Sequence, residues 1–213
     1  MNAFADQLLV LVMLINLVML GTSRLIFSIR AVAVQGVILG ILPGLIHPFS
    51  WHLAAITAGI ILAKGVIIPY LIGNAVHKAQ IRREVEPFIG YVPSLLLGAV
   101  FTALSFAFAE KLPLAPEHKD MLFVPASLAT LLGGFLLLTT RRKAISQVIG
   151  YLVMENGIFI FGLLLTEAMP AMVEAGVLLD LLVGIFVMGI VINHISREFS
   201  SIDTSRLRAL KEE

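Results

Sequence analysis

Three ionisable side chains, Lys64, Glu155 and Asp180, interrupt stretches of sequence that are otherwise apolar. A charged side chain at the centre of a bilayer costs roughly 2.5 to 3.5 kcal/mol even on a lenient insertion scale, so such residues are paired, protonated or part of an ion path. No basic residue within the run 145–165 neutralises Glu155. Lys64, Glu155 and Asp180 stand about twelve, ten and twelve residues from the basic ends of their runs, which at 1.5 Å per residue is roughly 15 to 18 Å deep. Equal depth permits a lateral row. Burial penalises the charged form of each group and an opposite charge favours it, and groups held between those effects can relay protons. The alternative is a buried salt bridge, Lys64 to Asp180 or Lys64 to Glu155, that fixes helix register and does nothing more.

The neighbours of these residues extend the pattern. Lys143, Gln147, Tyr151 and Glu155 follow one another at intervals of four, which lays a polar stripe along one helix face toward the membrane centre. A wetted half-channel has this form; so does a helix whose lysine snorkels, whose tyrosine packs and whose glutamine bonds a neighbour. His194 falls near the face of Asp180 at the mouth of its run, where it can exchange protons with solvent or simply be tolerated. Thr57, seven residues before Lys64, continues the lysine's face toward the other side of the membrane. Pro69 cannot donate to the carbonyl of Gly65, and a kink or an ordered water is expected there.

These residues need long apolar helices to hold them, and the composition supplies them. The chain of 213 residues is 59% hydrophobic and 14% charged, with a mean hydropathy of +0.99. That is well above the roughly 45 to 50% apolar content of soluble domains. Seven runs reach spanning length: 4–20, 31–46, 52–76, 88–109, 121–139, 145–165 and 172–192. The expected fold is therefore all-α, a polytopic membrane bundle of about seven transmembrane helices over 1–195, with a cytoplasmic tail at 196–213. The first run lacks a basic leader and carries Asp6, so it reads as a span and not as a cleaved signal. There is no cysteine, which removes thiolate-bound clusters and disulfides from this chain.

Threading seven spans puts Arg24, Arg30, Lys78, Arg82, Arg83, Arg141, Arg142, Lys143, Arg197, Arg206, Arg208 and Lys211 on one side, and Lys111 and Lys119 on the other. The positive-inside rule then sets the N-terminus outside and the C-terminus in the cytoplasm, or on the matrix side of an organelle. The loops are too short for a nucleic-acid surface, a nucleotide-binding loop or a catalytic domain.

Other features read as packing. Gly36, Gly40 and Gly44 form a small-residue stripe of close helix approach, and Gln35 beside it is placed to bond across that interface. Trp51, His47 and His52 crowd an outer loop, where an aromatic belt is expected and two spaced histidines fall short of a metal site. Glu167 and Glu174 flank an outer turn and read as solvated, with an exit site facing Glu155 or Asp180 as the alternative. The segment 59–77 (GIILAKGVIIPYLIGNAVH) aligns without gaps with 176–194 (GVLLDLLVGIFVMGIVINH), bringing Lys64 within one position of the partner of Asp180. That suggests parallel repeats of three helices joined by the fourth span.

The stretch 150–211, with GYLVMENG, EAGVLLDLLVG and the tail SREFSSIDTSRLRALKEE, resembles the hydrogenase-4 component E family, the membrane subunit of formate hydrogenlyase-type complexes. Chain length and the pattern of Lys64 followed by Pro69 fit that family as well. The portion 145–195 is also similar to the K-type subunit of respiratory complex I, with Glu155 and Asp180 matching its membrane carboxylates, the second being Asp in place of Glu. The resemblance implies a subunit with no redox centre or metal of its own in a complex I-related, energy-converting hydrogenase. Nickel–iron (NiFe) and iron–sulfur centres would then belong to peripheral partner subunits, and antiporter-like subunits would be its neighbours in the plasma membrane. Glu155 and Asp180 would pass protons along a central axis, with Lys64 adjusting them. A purely structural anchor, or a subunit of a related cation/proton antiporter complex, is the alternative.

Overall fold

The computed structural model describes residues 2–46, 48, 50–78, 87–112 and 122–165. Within them the chain is helical: α1 (Asn2–Gly21), α2 (Leu25–Ile46), α3 (Trp51–Ile60), a π-helical segment (Ile61–Ile67), α4 (Ile68–Lys78), α5 (Tyr91–Ala109), α6 (Phe123–Thr140) and α7 (Ala144–Leu165). α3, the π-segment and α4 run on as one span, so six helices among the described residues are long and apolar enough to cross a membrane. In hydrocarbon every backbone N–H and C=O must be satisfied within the segment, and a continuous helix is the local answer for runs this apolar. The seventh expected span, 172–192, lies outside the described residues, as does the tail.

The second helix begins at Leu25 and not at residue 31, taking in Arg30 about a turn and a half earlier than hydropathy suggests. Arg30 is exposed at that end, where its long stem can reach the interface while the helix continues beneath it.

α6 and α7 form the tightest pair. A Cβ on Gly134 would collide with the backbone of Met154; one on Gly150 would meet Leu138 N at 2.5 Å, and one on Gly157 would meet Leu131 N at 2.5 Å and Ser127 O at 2.8 Å. Three glycines therefore let two backbones touch along the hairpin, the membrane counterpart of close packing by small residues. α1 lies against α6, α5 and α2, while α2 packs on α3, the π-segment, α4 and α7. α5 stands at the periphery, burying Ser94, Gly98 and Ser105 and exposing Val92, Leu96, Val100, Leu104 and Phe108.

The helix ends are tied by side chains. Arg141, buried, donates from Nη2 to the carbonyl of Leu20 at 2.7 Å and lies 4.7 Å from the ring of Tyr91, closing the C-terminus of α1 with a cation. Phe88 N–H bonds the carbonyl of Thr140 at 2.8 Å, joining the start of α5 to the end of α6. At the other end of the bundle the Asp6 carboxylate accepts from Leu122 N–H at 3.1 Å, a negative charge at the N-terminus of α6.

The glycine stripe on α2 does not act as a unit. A Cβ on Gly36 would sit 2.6 to 2.8 Å from the carbonyl carbon, carbonyl oxygen and Cβ of Lys64, and one on Gly40 would strike Ile61. Gly44 meets nothing within 4 Å among the described residues. α2 thus touches the π-segment closely at two of three positions. Gly36→Ala is accordingly expected to lose about 1 to 3 kcal/mol to overpacking, whereas Gly44→Ala should be neutral or gain up to about 1 kcal/mol. Thermal unfolding of the two purified variants in the same detergent checks the contrast, and equal effects would refute it.

Candidate functional site

Lys64 lies inside the π-segment. There the Ile68 N–H reaches five residues back to the carbonyl of Ala63, so the helix is wider than an α-helix around the lysine. In that register the residue that would bond the Lys64 carbonyl is Pro69, which has no N–H. Pro69, where a kink or an ordered water was expected, thus directly follows a widened stretch of backbone. Gly36 on α2 and, reciprocally, Gly65 against Val37 let the widened turn lie flush on α2. π-turns inside α-helices occur frequently at functional sites.

The lysine side chain points into the bundle. Its Nζ stands 2.6 Å from Oε1 of Glu155 on α7, with the two side chains 8% and 2% exposed. Nζ also lies 5.4 Å from the centroid of the Phe159 ring, one turn further along α7. The carboxylate that seemed isolated in its own run is therefore neutralised from another helix. Two charges buried this deeply are held by their mutual attraction and by further polar contacts, since either alone would be expensive.

Those contacts continue away from the pair. Lys64 Nζ donates to Oδ1 of Asn156 at 3.5 Å, and Asn156 Nδ2 donates to Oε1 of Gln35 at 3.3 Å. Gln35 Nε2 donates to Oδ1 of Asn16 at 2.7 Å and to the carbonyl of Val12 at 3.4 Å. Asn16 Nδ2 in turn donates to Oγ1 of Thr130 at 2.9 Å. All of these side chains are buried, and they come from the π-segment, α7, α2, α1 and α6. A single polar string thus crosses the interior of the bundle. Gln35 bonds α1 and α7, away from the glycine interface across which it was expected to reach.

The other sequence candidates fall in different places. Gln147 is partly buried and donates from Nε2 to the carbonyl of Arg141 at 3.0 Å, securing the turn between α6 and α7. Tyr151 packs, half-buried, against the apolar cluster that contains Leu152, Val153 and Ile149. Lys143, just before α7, is half-buried, as are Gln147 and Tyr151 on the same stripe, and Glu155 at its end is buried. Thr57 has a buried Oγ1 with no hydrogen-bond partner among the described residues. Trp51 is exposed at the start of α3, beside Ser50, whose Oγ accepts from Leu53 N–H at 3.0 Å. Asp180, His194, Glu167, Glu174, His47 and the second half of the proposed repeat lie outside the described residues.

Asn16, Asn156 and Thr130 were not singled out by sequence. Each is an uncharged polar residue in an apolar run, and Asn156 directly follows Glu155. That was the available signal, and amides and hydroxyls in membrane helices are too common for it to stand out.

The chain is 32% identical to the uncharacterised protein Rv0085 of Mycobacterium tuberculosis over 187 residues, covering 86% of this chain and 85% of that protein. It is 28% identical to hydrogenase-4 component E of Escherichia coli and of Shigella flexneri over 157 residues, covering 73% of this chain and 72% of each relative. No family model matches the chain, and no solved structure matches it.

Proposed function

Since this chain belongs to one family with the mycobacterial protein Rv0085 and has hydrogenase-4 component E as a more distant homologue, we propose that it is a membrane subunit of a hydrogenase-type complex. Its work there is to relay protons, or to couple ion translocation, through a mid-membrane row of ionisable groups. The observation that carries this reading is the buried pair of Lys64 and Glu155, continued by amides across the bundle. A salt bridge serving register alone needs no string of polar side chains reaching three further helices. Asp180 is assigned to the same row on its spacing in the sequence, with Gln147 and Tyr151 on the approach to Glu155, and His194 at the mouth.

The chain supplies protonatable and polar groups and no electron carrier. Electron transfer, with nickel–iron and iron–sulfur centres, is assigned to peripheral partners, and antiporter-like membrane subunits are the proposed neighbours for the ion path. The basic turns after α1 and α6, with Arg24, Arg141, Arg142 and Lys143, are assigned to the cytoplasmic face of the plasma membrane, leaving the N-terminus outside.

One observation favours a second reading, a structural anchor: Lys64 is also where α2 and the π-segment touch through backbone. The two readings separate in the assembled complex. Glu155→Gln is expected to abolish ion pumping while electron transfer to an artificial acceptor continues, measured in proteoliposomes with a pH-sensitive dye. Pumping at the parental rate in a fully assembled variant would overturn the relay.

A further inference from the structure

The string from Lys64 to Thr130 has a sense. In each of its three amides the carbonyl oxygen faces the lysine and the amino group faces away: Asn156 Oδ1 toward Lys64, Gln35 Oε1 toward Asn156, and Asn16 Oδ1 toward Gln35. An ammonium has three donors and no acceptor, so it imposes that order on its first neighbour. Were Asn156 turned over, its amino group would meet Nζ donor to donor. Once Asn156 is set, its amino group must find an acceptor, which fixes Gln35, and Gln35 fixes Asn16 in the same way. The far end imposes no sense, because the hydroxyl of Thr130 can accept or donate. The carbonyl of Val12 gives Gln35 Nε2 a second acceptor and favours the same order at that one link.

We infer that Asn156, Gln35 and Asn16 are positioning residues whose amide orientation is set by the charge on Lys64, so that loss of that charge is felt at α1 and α6. This inference rests on the relay reading for its purpose but not for its geometry. The charged group that faces Lys64 from α7 is Glu155, and α2 presents Gln35 and Gly36 on its other side, neither of which titrates. Whenever the lysine gives up its proton, or its ammonium moves away, the donor at the head of the string is weakened and both senses become available to the amides. Hydrogen-bonded chains polarise one another, so the change is shared along the string and does not stop at the first link. The ion-pair site is thereby coupled to α1 and α6, which carry Asn16 and Thr130.

The test uses the full chain in lipid nanodiscs with 15N-labelled asparagine and glutamine side chains. Lys64→Met is expected to shift the side-chain amide resonances of Asn156, Gln35 and Asn16 together, and Lys64→Arg, which keeps the charge, to leave Gln35 and Asn16 near their parental positions. Resonances of Gln35 and Asn16 that stay put in Lys64→Met, or that move as far in Lys64→Arg, would overturn the inference. Should Lys64→Met not fold, Asn156→Leu serves in its place. That variant cuts the string at its first link and is expected to move the signal of Asn16, which it does not touch; no movement there overturns the inference equally. These readouts need no transport, so a chain that shows the coupled amides yet pumps normally as Glu155→Gln would sink the relay and leave the string intact.

Discussion

Lys64→Met alone is expected to lower the stability of the bundle by roughly 3 to 5 kcal/mol, because it leaves a carboxylate buried without its partner. Lys64→Met combined with Glu155→Leu is expected to recover most of that loss. Replacing both members of a buried ion pair by apolar side chains of similar volume is often neutral or stabilising by about 1 to 4 kcal/mol. The site favours such recovery: Phe159 already lines it, and the apolar residues of α7 continue on either side. The recovery will not be complete, since Asn156 loses the donor at its carbonyl oxygen and keeps its place in the string. Denaturant unfolding in one detergent measures the single and double variants on a common scale. The same double variant also divides the two functional readings. It is expected to assemble with its partners and to translocate no ions, whereas a pair that served register alone would leave translocation unchanged.

The second large effect lies in the hairpin of α6 and α7. Gly157→Val is expected to cost at least about 3 kcal/mol, at or beyond the upper end of the usual range for overpacking. The reason is what the new atoms would meet. A Cβ at Gly157 comes 2.5 Å from Leu131 N, 2.8 Å from Ser127 O and 2.9 Å from Leu131 Cα, all backbone atoms of a helix that cannot rotate aside. A valine adds two methyl groups to that collision. Displacing α7 from α6 also shifts Glu155 and Asn156 relative to Lys64 and Gln35, so the ion pair and the amide string should be disturbed together. Ile158→Ala, one residue on and exposed, is the control, expected within about 0.5 kcal/mol of the parent. Thermal unfolding of both variants decides it; a Gly157→Val chain as stable as the control would mean that the two backbones are not in contact.

Much of this arrangement could be read along the chain, and the particular residues show where reading stopped. Glu155 and Lys64 stand out in one dimension because a charge in an apolar run is rare and expensive. Pro69 announces a disturbed backbone for a similar reason. The disturbance takes the form of a π-segment at Lys64, and α2 lies closely against it at Gly36, whereas Gly44 meets nothing within 4 Å among the described residues. A stripe of three glycines is the same signal at each position; contact is decided by where the partner helix passes. Gln147, on the polar stripe by its spacing, also secures the turn at Arg141 with its amide, a contact the spacing does not reveal.

The sequence by itself determined the solvent, the approximate number of long apolar segments, and which of those segments carry a charge. Those follow from hydropathy and from the length a helix needs to span a bilayer, which need no knowledge of neighbours. The tertiary structure alone decided who meets whom: Lys64 with Glu155 over a separation of 91 residues, and Asn16 with Thr130 over 114. Pairing of that kind is fixed by helix rotation and by backbone contact at Gly134, Gly150 and Gly157, and in an apolar helix no face of the sequence marks the inside. The polar side chains supply the missing direction only after the helices have come together.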